Sequence, residues 1–136
     1  MKGQLNPETL DALLETLPFE WSLIDSDDRV LAWNRHDSRI FKRPEAAIGR
    51  NVRDCHPKHS LYKVEQILYE MKHGKRDTAE FYIDLVLDKS KPDEKEKVLI
   101  QYFALHNPKG DYLGCIECSQ KLSYLQSIKG EKRLLD

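Results

Sequence analysis

Cys55 and His56, followed directly by Pro57, are the neighbouring residues in this sequence best suited to chemistry. A thiol beside an imidazole can become a reactive thiolate, a metal ligand or an axial haem ligand. His59 adds a second imidazole to the same segment. In the structural alternative, Cys55 is a small buried hydrophobe, His56 caps or hydrogen-bonds, and Pro57 starts a helix. We favour this alternative because cysteine is so often simply buried, and keep Cys55, His56 and His59 as candidate metal, haem or redox residues.

Cys115 and Cys118 form a C-x-x-C pattern, which is typical of metal and redox sites. The surrounding residues predict a β-strand, on which side chains three positions apart point to opposite faces. The pair therefore cannot chelate one ion without a bulge, and no second C-x-x-C supplies further ligands. An iron–sulfur site that adds Cys55 is the alternative. We expect two ordinary strand cysteines.

The carboxylates fall in an acidic turn at 25–28 and a charged loop at 89–97, where a solvated surface is the simplest interpretation. The sequence contains no Gly-x-Ser-x-Gly, no Walker-type Gly-Lys-Ser/Thr and no His-Glu-x-x-His. Nothing pairs a nucleophile with a base. We therefore expect a protein that is not an enzyme, and a catalytic α+β domain with an unrecognised site is the alternative.

The N-terminal half predicts one helix and one hairpin. Asn6 and Pro7 are typical of a helix start, the leucines between 10 and 17 recur at helical spacing, and Pro18 ends the run. Residues 20–25 and 29–34 predict two short strands around the acidic turn. The broken pattern from 36 to 54 predicts short helical turns.

The C-terminal half predicts a longer helix from Leu61 to Met71, with Gly74 as its cap, followed by three strands. These strands alternate over 79–88, 98–104 and 112–119, and a charged helix closes the chain over 121–136. The order predicts an α+β fold, with a five-stranded antiparallel sheet, helices packed on one face, and flanking N- and C-terminal helices. We expect a single domain over 1–136 with its core at about 10–120.

The totals restrict the partners and the compartment. The 136 residues include 22 Lys and Arg against 23 Asp and Glu, for a formal net charge of −1, which disfavours a nucleic-acid module. No apolar stretch approaches the ~20 residues of a membrane helix, and no signal peptide is visible. Three cysteines do not make a disulfide framework, so we expect the reducing cytoplasm.

From about Leu10 to Ser119 the chain resembles a PAS domain. The resemblance rests on the opening helix, the hairpin ending in Trp33-Asn34, Pro44-Glu45 leading to the segment 48–52, the long helix and three closing strands. More narrowly, the segments 54–58, 74–81 and 130–135 are similar to the C-terminal PAS-like domain of DUF438 proteins. The resemblance implies a sensory or interaction module. It departs from light-sensing members, since Val52 and not cysteine follows Gly49-Arg50-Asn51.

PAS domains commonly hold a ligand between the sheet and its helices, and apolar residues from several predicted elements are available to line one volume. The candidates are Phe41, Ile48, Val52, Val64, Leu68, Met71, Phe81, Ile83, Ile100 and Tyr102. Alternatively, these side chains simply fill a core. The occupant is left open as a small apolar ligand, haem or none.

The leading hypothesis is a module that binds a small ligand or a partner and transmits the signal through its flanking helices. Those helices also suggest a homodimer, and the signalling partner is unknown. A haem, metal or thiol redox sensor that uses Cys55 and His56 is the alternative.

Overall fold

The sheet consists of two antiparallel units that meet where the first strand lies beside the last. The computed structural model describes residues 1–135, and within them five strands follow the order β2-β1-β5-β4-β3. The principal elements are α1 (Pro7–Thr16), β1 (Glu20–Asp25), β2 (Val30–Trp33), α2 (Leu61–Lys72), β3 (Thr78–Leu85), β4 (Glu96–His106), β5 (Tyr112–Lys121) and α3 (Ser123–Ser127). Short 3-10 turns occupy His36–Ser38, Glu45–Ala47, Val52–Asp54 and Lys58–Ser60. The five-stranded α+β fold predicted from the sequence is confirmed.

β1 pairs with β5 along its whole length, from Glu20 opposite Ser119 to Asp25 opposite Gly114. The register puts Cys115 opposite Ile24 and Cys118 opposite Trp21, two positions of different parity on β1. Because side chains alternate along a strand, the two cysteines lie on opposite faces of the sheet.

The core lies between α2 and one face of the sheet. Val64, Leu68 and Met71 recur at spacings of four and three, so they form one stripe of α2, and all three are buried. The stripe belongs to one buried cluster with sheet residues that include Val98 and Ile100. Burying each such side chain contributes about 1.5–3 kcal/mol, so this contact is a main source of stability.

α1 is tied to the sheet through its last turn. Asn6 caps its start by accepting from the Thr9 amide at 2.7 Å. At the other end the Leu14 carbonyl accepts from Trp21 Nε1 at 2.7 Å and from Asn34 Nδ2 at 3.2 Å. The helix itself has no buried residue, so these hydrogen bonds rather than apolar burial hold its C-terminal end in place.

The closing helix predicted over 121–136 is much shorter in the structure. Lys121 still belongs to β5, and the Leu122 amide continues the ladder by donating to the Lys97 carbonyl at 2.9 Å. α3 spans only Ser123–Ser127 and has no buried residue. Helical spacing alone does not stabilise so short a segment when no apolar face is packed. Asp136 lies outside the described residues.

Among the helices of residues 1–135, none has the length and hydropathy of a transmembrane span.

Gly114 allows the close approach of β1 and β5. Its φ is +137°, and a Cβ there would lie 2.0 Å from the Ile24 carbonyl oxygen, whereas Gly110, with φ +85°, has open space. We expect Gly114→Ala to lower the free energy of unfolding by about 3 kcal/mol or more, because both strain and overlap arise.

The control, Gly110→Ala, adds strain alone and should cost about 1–2 kcal/mol. Urea unfolding followed by circular dichroism measures both variants. If both variants lost the same free energy of unfolding, the overlap with Ile24 would not be what makes Gly114→Ala destabilising.

Candidate functional site

A cavity of about 960 Å³ opens between α2, the segment 40–43, the turn at 55–60 and the inner faces of β3, β4 and β5. Its walls are mostly apolar and include Ile40, Phe41, Val64, Ile67, Phe81 and Ile100. The polar floor of the cavity consists of Arg43, Tyr102 and Glu117, and its basic rim consists of Lys42, His59 and Lys63. Apolar walls with a few convergent polar groups are typical of ligand pockets.

A buried ion pair holds one wall of the cavity in place. Glu20 and Arg39 are almost wholly buried, with side-chain exposures of 4% and 1%, and their charged atoms lie 3.9 Å apart. The Glu20 carboxylate accepts from the amides of Ile40 (2.7 Å) and Phe41 (3.2 Å). The segment that carries the apolar wall and leads to Arg43 is therefore fixed to β1 by its backbone.

Arg39 uses its whole guanidinium in this arrangement. It donates to the carbonyls of Phe41 (2.9 Å), Trp21 (3.0 Å) and Asn34 (2.9 Å), and to Ser22 Oγ (2.9 Å). Burial lowers the pKa of Arg39, and the charge of Glu20 acts against that shift. The side chain stays charged, because arginine is not deprotonated in proteins.

Ser22, Arg43, Glu117 and Tyr102 form a connected hydrogen-bond network at the floor. Arg43 Nε donates to Ser22 Oγ at 3.0 Å, and Arg43 Nη2 lies 3.4 Å from Glu117 Oε2. Tyr102 donates its hydroxyl to the same Glu117 oxygen at 2.8 Å. Burial, followed by the charge of Glu117, raises the pKa of Tyr102 well above its ordinary value, so the phenol stays protonated at neutral pH and acts as a donor.

His56 lies in the cavity wall with its Nε2 3.0 Å from Ser60 Oγ. Burial lowers the pKa of His56, the charge of Glu117 acts against that shift, and the charges of Arg43 and His59 add to it. The net lowering favours the neutral imidazole. Cys55, its neighbour, also lines the cavity and lies 3.7 Å from the Asn51 carbonyl oxygen through its sulfur.

Cys115 and Cys118 lie outside the cavity and are held as thiols. Burial raises the pKa of Cys115 to about 12 and that of Cys118 to about 11, and the charge of Glu117 adds to both shifts. Among residues 1–135 no group of three or more His, Cys, Asp or Glu could hold a metal ion.

Six of the ten pocket residues proposed from the sequence line the cavity: Phe41, Val64, Phe81, Ile83, Ile100 and Tyr102. Val52, Leu68 and Met71 belong instead to the packed core. Ile48 lies elsewhere, 53% exposed, in a shallow depression beside Trp33 and Glu45. The adjoining Gly49 amide donates to the Val30 carbonyl at 2.8 Å, which places this segment at the β2 edge, away from the cavity.

The cavity also contains residues that the sequence did not single out as pocket lining. Ile67 is apolar and directly precedes Leu68 of the α2 stripe, and this position is the signal that would have included it. Arg43 and Glu117 are separated by 74 positions, and no local sequence pattern predicts that they pair. Cys55, His56 and His59, which the sequence nominated for redox or metal chemistry, all line the same volume.

Comparison with known proteins identifies one family model and several solved structures that are similar to this chain. The family model described as a PAS domain matches residues 10–123. A crystallised C-terminal domain from Streptococcus mutans is 26% identical, with a TM-score of 0.80 over 95% of this chain and 94% of that one. None of the curated proteins is similar enough to count as a match.

Two further solved structures share the fold at lower identity. The PAS domain of BvgS from Bordetella pertussis is 15% identical, with a TM-score of 0.63 over 85% of both chains. The Vibrio cholerae VqmA dimer is 19% identical, with a TM-score of 0.62 over 93% of this chain and 55% of that one.

The three cysteines should differ in reactivity. We expect iodoacetamide at pH 8 to alkylate Cys55 at least about ten-fold faster than Cys118 or Cys115, because the raised pKa values of Cys118 and Cys115 leave little thiolate. Intact-mass kinetics with peptide mapping measure the order. Cys55→Ser should remove the fast phase, and fast labelling of Cys118 would contradict the assignment.

Proposed function

Because this chain belongs to the PAS domain family, we propose that it is a sensory module that binds a small ligand in the cavity between α2 and the sheet. The PAS fold is typical of sensory and signalling modules. The observation that carries the proposal is the large cavity, with its apolar walls and a floor of hydrogen-bonded polar groups. We infer that the module works by binding and not by catalysis, since Tyr102 and Glu117 are engaged with each other.

A ligand bound in the cavity would be connected to the N-terminal helix through few residues. Glu117 on the floor lies directly opposite Ser22 in the β1–β5 register. Trp21, which directly precedes Ser22 on β1, donates its indole N–H to the Leu14 carbonyl at the end of α1. A ligand that draws Arg43 away from Glu117 and Ser22 therefore acts on the strand to which α1 is attached. We propose that α1 transmits the signal to an unidentified partner.

Haem binding is the second candidate, because Cys55, His56 and His59 all line the cavity. An iron ligated at His56 Nε2 would have to displace Ser60 Oγ from its 3.0 Å contact. The neutral imidazole suits a metal ligand, but the hydrogen bond favours an organic occupant. The three cysteines are free, which fits the reducing cytoplasm where we propose that the module works.

We also propose that α1 forms part of a homodimer interface. Leu10 and Leu13, three positions apart on one face of the helix, are 43% and 44% exposed. VqmA, which shares the fold, forms a dimer. A second copy of α1 is an apolar partner of matching length, and pairing the two helices would bury these leucines.

A larger side chain in the wall should expel the ligand. We expect native mass spectrometry of freshly purified protein to show a mass above the bare 15.9 kDa chain. Ile83→Trp should reduce the bound fraction by about ten-fold or more, because its indole occupies space at a wall position already 36% exposed.

Leu113→Trp is the matched control, since Leu113 is 52% exposed and does not line the cavity. A visible absorption band that disappears in His56→Ala would favour haem over the organic ligand. A bare mass for the wild type, with no small molecule bound on screening, would refute the pocket proposal.

The dimer should depend on the exposed face of α1. We expect the double variant Leu10→Glu/Leu13→Glu to raise the dimer dissociation constant by about ten-fold or more. The monomer's free energy of unfolding should change by less than about 0.5 kcal/mol, since neither side chain is buried. Sedimentation velocity over a concentration series measures the equilibrium.

Ile48→Glu supplies the control at a comparably exposed apolar residue outside α1. A wild type that sediments as a monomer throughout, or a double variant that dimerises normally, would exclude this interface.

A further inference from the structure

The cavity wall is cationic in a chain that is slightly anionic. Its charged residues are Lys42, Arg43 and Lys63 against Glu117 alone, so its formal charge is +2 with neutral histidines. The whole chain carries −1, which leaves −3 for everything outside the cavity. The positive charge is therefore concentrated at the cavity and is not a general property of the surface.

The two rim lysines are available to a ligand. None of the ion pairs within residues 1–135 involves Lys42 or Lys63. Both are exposed, and Lys63 lies 5.7 Å from the Tyr62 ring centroid, a weak contact that leaves the charge accessible. An anion approaching this side of the cavity would meet no competing carboxylate on the rim.

Arg43 brings the same charge to the floor. Its side chain is 17% exposed, and its contact with Glu117 is 3.4 Å, longer than the 2.7–2.9 Å that is usual for a charge-assisted pair. Its Nη1 makes no hydrogen bond to the residues that the structure describes. Glu117 meanwhile has a closer donor, the Tyr102 hydroxyl at 2.8 Å. Arg43 can therefore turn towards an incoming anion while Glu117 keeps a hydrogen bond.

The rest of the wall requires an apolar body. Phe81 and Tyr102 stack with their ring centroids 6.0 Å apart, and Ile83, Ile100 and Ile67 continue the apolar surface between β3, β4 and α2. A small inorganic anion would leave this surface uncovered. A neutral apolar molecule would leave the cationic groups unused.

We propose that the ligand is an amphipathic organic monocarboxylate, with its carboxylate at Arg43 and the basic rim and its hydrocarbon body against Phe81, Ile83 and Ile100. This inference rests on the proposed function, because it identifies the chemical class of the ligand in the same cavity. A cationic amphiphile is the opposite class. It would face three cationic side chains and depend on Glu117, which already accepts from Tyr102 and contacts Arg43.

Three probes of equal chain length separate the classes: decanoate, decanol and decylamine. Displacement of the neutral fluorophore N-phenyl-1-naphthylamine at pH 7.5 measures their affinities. We expect decanoate to bind about ten-fold or more tighter than decanol, and decylamine to bind weakest. Raising the salt concentration from about 20 to 300 mM should reduce the difference in affinity between decanoate and decanol, because the charges of the exposed lysines are screened.

Matched variants locate the charge. Arg43→Gln should weaken decanoate about ten-fold and change decanol by less than about two-fold, with partial recovery in Arg43→Lys. Lys42→Gln/Lys63→Gln should weaken decanoate about three-fold, and its exposed positions leave folding intact. Arg50→Gln is the control, because Arg50 is exposed and lies outside the cavity. Thermal melts confirm that each variant is folded.

The outcomes distinguish this inference from the pocket proposal. Equal affinity for all three probes, or tightest binding of decylamine, would overturn the monocarboxylate class and leave the ligand pocket standing. If decanoate binds tightest but Arg43→Gln and the double lysine variant both bind it normally, the assignment of these side chains is wrong. If neither the fluorophore nor any probe binds, the monocarboxylate class is overturned, and the pocket proposal fails with it only if native mass spectrometry also shows the bare chain.

Discussion

The buried pair of Glu20 and Arg39 is the interaction on which the candidate site depends. Removing both charges from water is costly, and such a pair is tolerated only when further hydrogen bonds satisfy the remaining donors and acceptors. That condition is met, because Arg39 donates to three carbonyls and to Ser22, and Glu20 accepts from two backbone amides. The pair fixes the path of residues 39–41 rather than simply adding stability. Arg43 follows two residues later, so its position in the floor of the cavity is a consequence of this pair.

The adjacency of β1 and β5 turns this local arrangement into one that spans the sheet. Ser22 accepts from both Arg39 and Arg43, and it lies opposite Glu117. A side chain from the start of the chain and one from the end therefore belong to the same network. Gly114 is required for that adjacency because any Cβ there would overlap β1. The contact of Gly114 with β1 and the polar floor therefore depend on the same pairing of β1 with β5. α1 is attached to β1 through Trp21.

Periodicity predicted much of this structure because burial on α2 and on the sheet repeats at regular intervals. The stripe of Val64, Leu68 and Met71 and the opposite faces of Cys115 and Cys118 follow from spacing alone. The closing helix was wrong beyond Ser127, since helical spacing was read without knowing whether a surface existed to pack against. The pairings of Glu20 with Arg39 and of Arg43 with Glu117 were missed for a different reason. They depend on the irregular path from 35 to 43, which begins with Arg35 in a left-handed conformation that no hydrophobic pattern encodes.

The two ion pairs, Glu20 with Arg39 and Arg43 with Glu117, have different roles in the site. Glu20 neutralises Arg39 inside the protein, where a net charge would be most costly. Arg43 and Glu117 are partly exposed to the cavity, with side-chain exposures of 17% and 12%, so an exchange of partners there costs less than it would for the almost wholly buried pair behind them. The floor favours an anion when Arg43 turns towards it, because Glu117 keeps its hydrogen bond from Tyr102. Lys42 and Lys63 add to this selection at the rim, where the described lining residues include no carboxylate. The inner pair is almost wholly buried and fixed by backbone hydrogen bonds, whereas the outer pair is partly exposed. This arrangement lets the wall stay fixed while the binding groups move.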